Sequence, residues 1–264
     1  SLDIILNVAI CLVLFIIIIV ILWLNRNRDR NQILEPYKPN YHTINNVVDH
    51  VYVINLDIDK DKMKLISRKL KKLNIQFTRF PAVYGNKIAH KYKSKLEPGT
   101  LGCLLSHKAI IEDAIKNNYN KILVFEDDVI FDKKFIKKFN TKYVHIPSNY
   151  DLLFLGCTQT LDYNIWDTMK MYDNYYIPRK SNGAGAFAII INKSIFADLV
   201  KHAAKMDKPY DTLIIDNILP RKKVFSLYPH LITAKVDKIS TTDNLTRDMD
   251  KYLKKNKLDK KNFI

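Results

Sequence analysis

Short apolar runs alternate with amphipathic stretches from about residue 50 onward, and this alternation predicts the secondary structure. Helices are predicted where apolar residues recur every three or four positions, and strands where β-branched residues dominate short runs. The predicted strands are 51–56, 76–83, 121–125, 151–155 and 186–191, and the predicted helices are 60–73, 99–117, 193–204 and 211–219. The second of these helices is expected to turn Ile111 and Ile115 toward the core. Strands that alternate with helices indicate an α/β fold with a mostly parallel, mixed sheet.

The first residues show a different pattern, an apolar run at 4–24 that only one asparagine interrupts. A helix over this run is roughly 30 Å long, which matches the hydrocarbon core of a bilayer. We therefore predict an uncleaved transmembrane anchor at 1–24. Arg26, Arg28 and Arg30 follow the run, and the positive-inside rule then places the rest of the chain on the cytoplasmic side. The opposite topology stays open.

Three further segments follow the predicted anchor. The segment 25–46 is polar, contains Pro36 and Pro39 and lacks periodicity, so it is expected to be a stalk. The apolar pattern predicts one folded domain at 47–250. The last segment, 251–264, carries a dense basic run and is expected to be a tail, either frayed or lying as a helix near an anionic surface.

The net charge and the cysteine content limit which binding partners and metal sites are expected. The formal net charge of +16 favours anionic partners such as acidic lipid or phosphorylated small molecules. Nucleic acid is not an expected partner, because the chain has no nucleic-acid motif and no aromatic-basic repeat. The three cysteines, Cys11, Cys103 and Cys157, form no CxxC pair or Cys/His cluster, which argues against a zinc site. Buried free thiols are favoured over a disulfide for the last two.

Three consecutive carboxylates, Glu126, Asp127 and Asp128, directly follow the predicted strand at 121–125. Ligands of open α/β sheets bind at the carboxyl ends of the strands, where these side chains are expected to lie. Clustered like charges cost free energy unless a cation joins them, and Mg²⁺ or Mn²⁺ binds carboxylates together with phosphate oxygens. The three residues are therefore candidate metal ligands. The alternative is a solvated acidic turn that caps a helix from Asp132 onward.

Three further features, one before the three carboxylates and two after them, are weaker indications of a site. In the segment 96–107, Gly102 allows the helix to approach another backbone closely. Ser106 and His107 follow one turn later and are either residues of the site or ordinary packed residues of the helix. The small residues at 182–186 indicate a turn that a substrate could approach. Near the predicted helix at 211–219, Asp211 and Asp216 are candidate general bases, with a helix cap and a surface charge as the alternatives.

These segments occur in an order that resembles glycosyltransferase family 25, the family of lipopolysaccharide and collagen hydroxylysine galactosyltransferases. The family has Ile-Asn-Leu-Asp, then Pro-Ala-Val-x-Gly, then Pro-Gly-x-x-Gly-Cys-x-x-Ser-His, then Leu-Glu-Asp-Asp. The matching residues are 54–57, 81–85, 98–107 and 125–128, followed by Asp211, the pair Tyr228-Pro229 and Ser240. The resemblance extends over about residues 50 to 245 and therefore covers nearly the whole predicted domain.

The resemblance implies a GT-A-like, Rossmann-like catalytic domain that inverts the sugar it transfers from a UDP-hexose donor. Galactose is the default hexose and glucose the competitor, and Mn²⁺ or Mg²⁺ is expected at the acidic segment. The residues expected to bind the donor are Asn55, Leu56, Gly102, Ser106, His107 and Asp127. The acceptor hydroxyl, on a glycan or a hydroxylysine-type protein, is expected to lose its proton to Asp211 or, as second choice, to Asp216.

One departure from the family leaves a second interpretation open. The family usually has arginines soon after its Asn-Leu-Asp, and here Ile58, Asp59 and Lys60 occupy those positions. The alternative function is a catalytically inactive module that binds a nucleotide sugar or glycan at a membrane. Turnover distinguishes the two interpretations, since both predict binding of the sugar nucleotide.

Overall fold

The computed structural model describes residues 43–157, 170–179, 185–235, 253–254 and 258–264. All of these belong to the unit Tyr41–Ile264. The predicted anchor, nearly all of the predicted stalk, residues 182–184 of the small-residue turn and Ser240 lie outside the described residues. Within the described part of the chain, no helix is both long and apolar enough to cross a bilayer.

The described residues form the strands and helices that the apolar pattern predicts, together with elements that it does not predict, among them the strand Val224–Leu227. The strands are β1 (His50–Asn55), β2 (Thr78–Pro81), β3 (Lys121–Glu126), β4 (Val129–Phe131), β5 (Leu152–Phe154), β6 (Tyr175–Tyr176), β7 (Ala188–Asn192), β8 (Val224–Leu227) and β9 (Ile232–Ala234). The α-helices are α1 (Lys60–Lys72), α2 (Gly85–Ile88), α3 (Pro98–Lys116), α4 (Phe135–Tyr143), α5 (Phe196–Ala203) and α6 (Tyr210–Leu213). A π-helix at Ile214–Ile218 continues α6, and 3₁₀ turns lie at Ile44–Asn46, Ala89–Lys91, Lys193–Ile195 and Lys260–Asn262.

The main sheet is mixed and has the strand order β2-β1-β3-β7-β5-β8-β6. Strands β2, β1, β3, β5 and β8 run in one direction, whereas β7 and β6 run antiparallel to their neighbours. The predicted α/β fold with a mixed sheet is confirmed. Since β1 and β3 are parallel neighbours, the residues that follow their carboxyl ends lie side by side at one edge of the sheet.

Helices cover both faces of this sheet, and the alternation of side chains along the strands explains why. Tyr52 and Ile54 of β1 point to one face and pack with α3, α5 and α6. Val51 and Val53 point to the other face and pack with α1 and α4. Strand residues point alternately to opposite faces, so a strand that is apolar at every position needs a layer of helices on each side.

One predicted core residue lies elsewhere. Ile111 is 1% exposed, as expected, but Ile115 is 48% exposed. Ile115 sits in the last turn of α3, which ends at Lys116. The helical period identifies the apolar face of a helix, but it does not show where along the helix the neighbouring layer ends.

A small second sheet holds the residues that follow the acidic segment. Strand β4 pairs antiparallel with β9. On the other side of β4, Phe131 N donates to Ile264 O at 3.2 Å and Ile264 N donates to Phe131 O at 2.9 Å. The end of the predicted basic tail therefore packs on β4. Because β4 separates Asp128 from α4, the acidic turn does not cap that helix.

Candidate active site

The three consecutive carboxylates occupy the end of β3 and the turn into β4. Glu126 is the last residue of β3, and Asp127 and Asp128 form the turn. Asp127 Oδ2 accepts a hydrogen bond from Asn55 Nδ2 at 2.6 Å. Asp128 Oδ1 is buried and has no hydrogen-bond partner among the described residues. Buried polar atoms normally have a partner, so this oxygen is a fitting ligand for a cation.

The electrostatics of this acid cluster, residues 126–128, also favour a cation. Burial first, and then the charges of Asp59 and Glu126, raise the pKa of Asp127 to about 6, against the opposing effects of Asn55 and Lys62. Burial and the charges of Glu126 and Asp127 raise the pKa of Asp128 to about 7. Both shifts reflect the free-energy cost of holding neighbouring carboxylates out of water. A hard divalent ion would remove that cost, so the residues fit Mn²⁺ or Mg²⁺.

A hydrogen-bond chain from β2 fixes the orientation of Asn55. Arg79 Nε donates to Asn55 Oδ1 at 2.9 Å, and Arg79 Nη2 donates to Asn55 O at 3.1 Å and also contacts the Asp57 carboxylate. Because Arg79 occupies the amide oxygen, the amide nitrogen is directed toward Asp127. The sequence pattern does not single out Arg79. Its only signal is a positive charge inside the predicted strand at 76–83.

Replacing Asn55 with leucine is expected to weaken Mn²⁺ binding by about 10- to 100-fold, because Asp127 loses the partner that orients it. Titration calorimetry on the purified protein measures this. Asn45→Leu is the matched control, since Asn45 also bridges two segments through hydrogen bonds to Gln76 at 2.7 and 2.9 Å. The control is expected to retain the wild-type affinity for Mn²⁺. Equal affinities in the two variants would contradict the positioning role of Asn55.

A cavity of ≈ 250 Å³ lies beside the acid cluster. Asn55 and Leu56 line it from the end of β1, Glu126 and Asp127 from the end of β3, and His107 from α3. All five are residues for which the sequence predicts donor or metal binding. The fold therefore brings together side chains that are up to 72 residues apart in the chain.

Gly102 and Ser106, two further predicted donor-binding residues, lie behind the cavity wall and not in its lining. A Cβ on Gly102 would lie 2.5 Å from Val83 O and 2.8 Å from Gly85 N. Ser106 Oγ accepts a hydrogen bond from Val83 N at 2.8 Å and donates one to Gly102 O at 2.6 Å. Both residues hold the segment 84–86, which lines the cavity, close to α3. Direct contact of either residue with a donor stays a prediction.

His107 connects α3 to the acid cluster. It is buried, its Nε2 lies 3.5 Å from Glu126 Oε1, and its ring stacks on Tyr210 with centroids 4.1 Å apart. The ligand atoms of Cys103, His107 and Glu126 lie within 4.8 Å of one another. Neither Cys103 nor Cys157 forms a disulfide among the described residues, as predicted; Cys157 is buried, as expected, but Cys103 is only half-buried. The expectation that the chain has no Cys/His cluster is therefore wrong, because Cys103 and His107 are four residues apart on one face of α3.

The structure separates the two candidate bases. Asp211 lies in the first turn of α6, where Pro209 and not Asp211 is the cap residue. Burial first, and then the charges of Glu126 and Asp211, raise the pKa of Cys103, which lines the cavity. Asp216 lies on the π-helix, and Lys208 Nζ is 2.9 Å from its Oδ2. Asp211 is thus the candidate that acts electrostatically on a cavity residue.

Sequence comparison places these features in a known family. The sequence model of glycosyltransferase family 25 (LPS biosynthesis protein) matches residues 48–214. A Haemophilus influenzae protein, to which glycosyltransferase activity is assigned only by name, is 27% identical over an alignment of 201 residues that covers 70% of each chain. Procollagen galactosyltransferase 1-A of Xenopus laevis is 30% identical over 128 residues. That match covers 41% of this chain but only 21% of the Xenopus protein.

Among solved structures, a glycosyltransferase involved in the glycosylation of the major capsid of PBCV-1 aligns over 74% of this chain and 96% of its own. Its TM-score of 0.45 and its sequence identity of 10% are too low to add to the assignment. The family match alone carries it. Because that match covers more than half of the chain and every residue that lines the cavity, the chain belongs to glycosyltransferase family 25.

Proposed function

We propose that this glycosyltransferase is inverting and metal-dependent, and that it moves galactose or glucose from a UDP-hexose to a hydroxyl on a glycan or a hydroxylysine-type protein. The observation that carries the metal dependence is the buried Asp128 Oδ1, which has no partner among the described residues and adjoins two further carboxylates. The names of several relatives, procollagen galactosyltransferases of Xenopus laevis and Homo sapiens, support galactose and a protein acceptor.

The acid cluster at 126–128 would hold Mn²⁺ or Mg²⁺ in the proposed enzyme. When bound, such an ion neutralises the donor diphosphate and stabilises the charge that develops on the leaving UDP. The remaining work falls to residues of the chain. Asn55 holds Asp127, Arg79 holds Asn55, and the positive charge of Lys62 lowers the pKa of both aspartates of the cluster.

Asp211 is the proposed general base. The oxygen of the acceptor hydroxyl attacks the anomeric carbon from the face opposite UDP, and its proton passes to the Asp211 carboxylate. The bond between the anomeric carbon and the UDP oxygen breaks in the same step, so the configuration inverts. The electrostatic influence of Asp211 on Cys103 and the ion pair between Asp216 and Lys208 support this choice.

The Asp211→Asn variant is expected to lose more than about 100-fold in kcat, because an amide cannot accept the proton. Asp216→Asn is the matched variant on the same helical segment and is expected to keep kcat within about tenfold of wild type. Steady-state release of UDP, measured with saturating donor and acceptor, distinguishes the two. Turnover of Asp211→Asn within about tenfold of wild type would assign the base to another group.

The proposed function is tested on the full chain, purified in detergent, with a panel of UDP-sugars and Mn²⁺. UDP release is measured with and without EDTA. Release from one UDP-hexose that EDTA abolishes supports the proposal and identifies the donor. A folded protein that binds a UDP-sugar in calorimetry but releases no UDP from any donor would instead be a binding module.

The proposal includes attachment to a membrane through the apolar run at 4–24, with the catalytic domain on the cytoplasmic side. The length of that run and the arginines at 26, 28 and 30 support it. Flotation of the full chain with lipid vesicles, compared with a chain that starts at residue 41, tests the anchor. Equal flotation of the two chains would contradict it.

A further inference from the structure

Cys103, His107 and Glu126 form a group whose chemistry differs from that of the acid cluster. Cys103 and His107 are four residues apart on α3 and therefore share one face of the helix. Glu126, at the end of β3, completes the group, and the three ligand atoms lie within 4.8 Å of one another. The group thus offers one sulfur, one imidazole nitrogen and one carboxylate oxygen beside the cavity.

This donor set suits a thiophilic ion better than a hard one. Thiolate and imidazole select Zn²⁺ and its neighbours, whereas Mg²⁺ and Mn²⁺ prefer carboxylates, carbonyls and water. The ligand atoms of a tetrahedral zinc ion are about 3.5 Å apart, given metal–ligand distances of roughly 2.0–2.3 Å. The distance from His107 Nε2 to Glu126 Oε1 is already 3.5 Å. The distances to the Cys103 sulfur are no longer than 4.8 Å, so a shift of about an ångström closes the group around an ion.

We propose that Cys103, His107 and Glu126 bind Zn²⁺ or a similar thiophilic divalent ion, and that this binding inhibits the enzyme. Three protein ligands leave a fourth position on the ion for water. On binding, the Cys103 sulfur loses its proton to solvent and bonds to the metal, and no electron is transferred. The inhibition, though not the binding, rests on the proposed metal-dependent transfer.

The surroundings of the group support a cation at this position. Burial raises the pKa of Cys103 most, and the negative charges of Glu126, Asp211 and Asp128 raise it further, so the sulfur lies among carboxylates that a cation would neutralise. The ring of His107 is held by stacking on Tyr210 at an interplanar angle of 11°, so the imidazole is already oriented. A rigid ligand reduces the ordering that a metal has to impose, which increases its affinity.

Inhibition is expected because the Cys103/His107/Glu126 group and the acid cluster have one residue in common. Glu126 belongs both to this group and to the acid cluster, and its carboxylate would be occupied by the thiophilic ion. The added positive charge would also repel a second divalent ion at Asp127 and Asp128. Zinc is therefore expected to compete with Mn²⁺, so that raising the Mn²⁺ concentration relieves the inhibition.

Binding is tested with Co²⁺, which occupies zinc sites and reports a thiolate ligand by a charge-transfer band in the near ultraviolet. The metal-free full chain is titrated with Co²⁺, and the band is expected in the wild type and in Cys157→Ser. It is expected to be absent in Cys103→Ser, with the fold of each variant checked by circular dichroism. Cys157 is the matched control, because its sulfur also lies near an imidazole, 3.7 Å from His230 Nε2.

Inhibition is tested by measuring UDP release in Mn²⁺ with increasing Zn²⁺, each variant relative to its own activity without zinc. Loss of a metal's second-shell partner already costs about 10- to 100-fold in affinity, so loss of the Cys103 ligand is expected to raise the inhibition constant by more than about 100-fold. No cobalt band in the wild type, or a band that disappears in Cys157→Ser, overturns the proposed site. A Cys103-dependent band without UDP release from any donor would instead leave the site standing and reject the proposed function.

Discussion

Replacing Asp128 with asparagine is expected to abolish sugar transfer and, at the same time, to stabilise the metal-free protein. The activity is expected to fall by more than about 100-fold, because an amide carries no charge to hold the divalent ion near the donor diphosphate. The stability is expected to rise, because the variant no longer buries a carboxylate next to Glu126 and Asp127. The two effects have opposite signs, which general misfolding could not produce.

The sign of the stability effect follows from the pKa of Asp128. Its ordinary value is 3.8, and the folded protein raises it to about 7. Between these values the folded state holds a proton that the unfolded chain has released, so the free energy of unfolding falls as pH rises through this window. Asp127, with a pKa raised to about 6, adds to the same slope. The destabilisation is complete above pH 7 and absent below pH 4.

Thermal unfolding in EDTA at pH 5 and pH 8 measures this effect. At pH 8, Asp128→Asn is expected to raise Tm by at least about 4 °C, since 1 kcal/mol corresponds to roughly 2–4 °C for a domain of this size. At pH 5 the gain is expected to be smaller. Asp198→Asn is the control, because Asp198 forms a surface ion pair with Lys222 at 2.7 Å and such pairs contribute little. A lower Tm for Asp128→Asn at pH 8 would contradict the proposed repulsion.

Replacing Gly102 with alanine is expected to lower both stability and activity. The helix propensity of alanine alone would stabilise α3 by about 1 kcal/mol. The new Cβ would however lie 2.5 Å from Val83 O and 2.8 Å from Gly85 N, which are backbone atoms that cannot rotate away. Overpacking costs about 1–3 kcal/mol, and contact with rigid backbone atoms places this case at the upper end. After the gain of about 1 kcal/mol from helix propensity, the net cost is about 2 kcal/mol, so Tm is expected to fall by roughly 4–8 °C. Displacement of the cavity wall at 84–86 is expected to reduce kcat/KM by about tenfold or more.

Ile115→Ala is the matched control on the same helix. Ile115 is 48% exposed, so its truncation is expected to change Tm by no more than about 2 °C. It is also expected to leave kcat/KM unchanged, because Ile115 does not line the cavity. A rise in Tm for Gly102→Ala would show that helix propensity outweighs the contact with Val83, and that α3 and the segment 84–86 are farther apart than the structure shows.

The sequence predicts most of the fold, because periodicity records which face of each element is buried. The apolar run at 121–125 and the helix at 60–73 correspond closely to β3 and α1. Strands β4, β6, β8 and β9 are absent from the prediction. Each has only two to four residues, too few for a period to appear, and each is fixed by pairing with residues distant in the chain.

The candidate site likewise contains residues that the sequence identifies and residues that it does not identify. The acid cluster is evident from sequence, since three adjacent carboxylates directly after an apolar run are typical of a ligand site at the end of a strand. The hydrogen bond from Arg79 to Asn55 is not evident from the sequence, because it depends on the register of β1 against β2. The packing of Gly102 and Ser106 against Val83 likewise depends on a close approach between two segments.

By itself, the sequence determined the α/β class, the order of the main elements, the family and the position of the acid cluster, because these depend on local pattern and composition. The tertiary structure decided which residues surround the cluster and what they do. It alone placed Cys103 and His107 beside Glu126, brought the charge of Asp211 close enough to act on Cys103 while Asp216 pairs with Lys208, and left Asp128 Oδ1 without a partner among the described residues. These properties depend on distances between segments far apart in the chain, and no local pattern of residues records such distances.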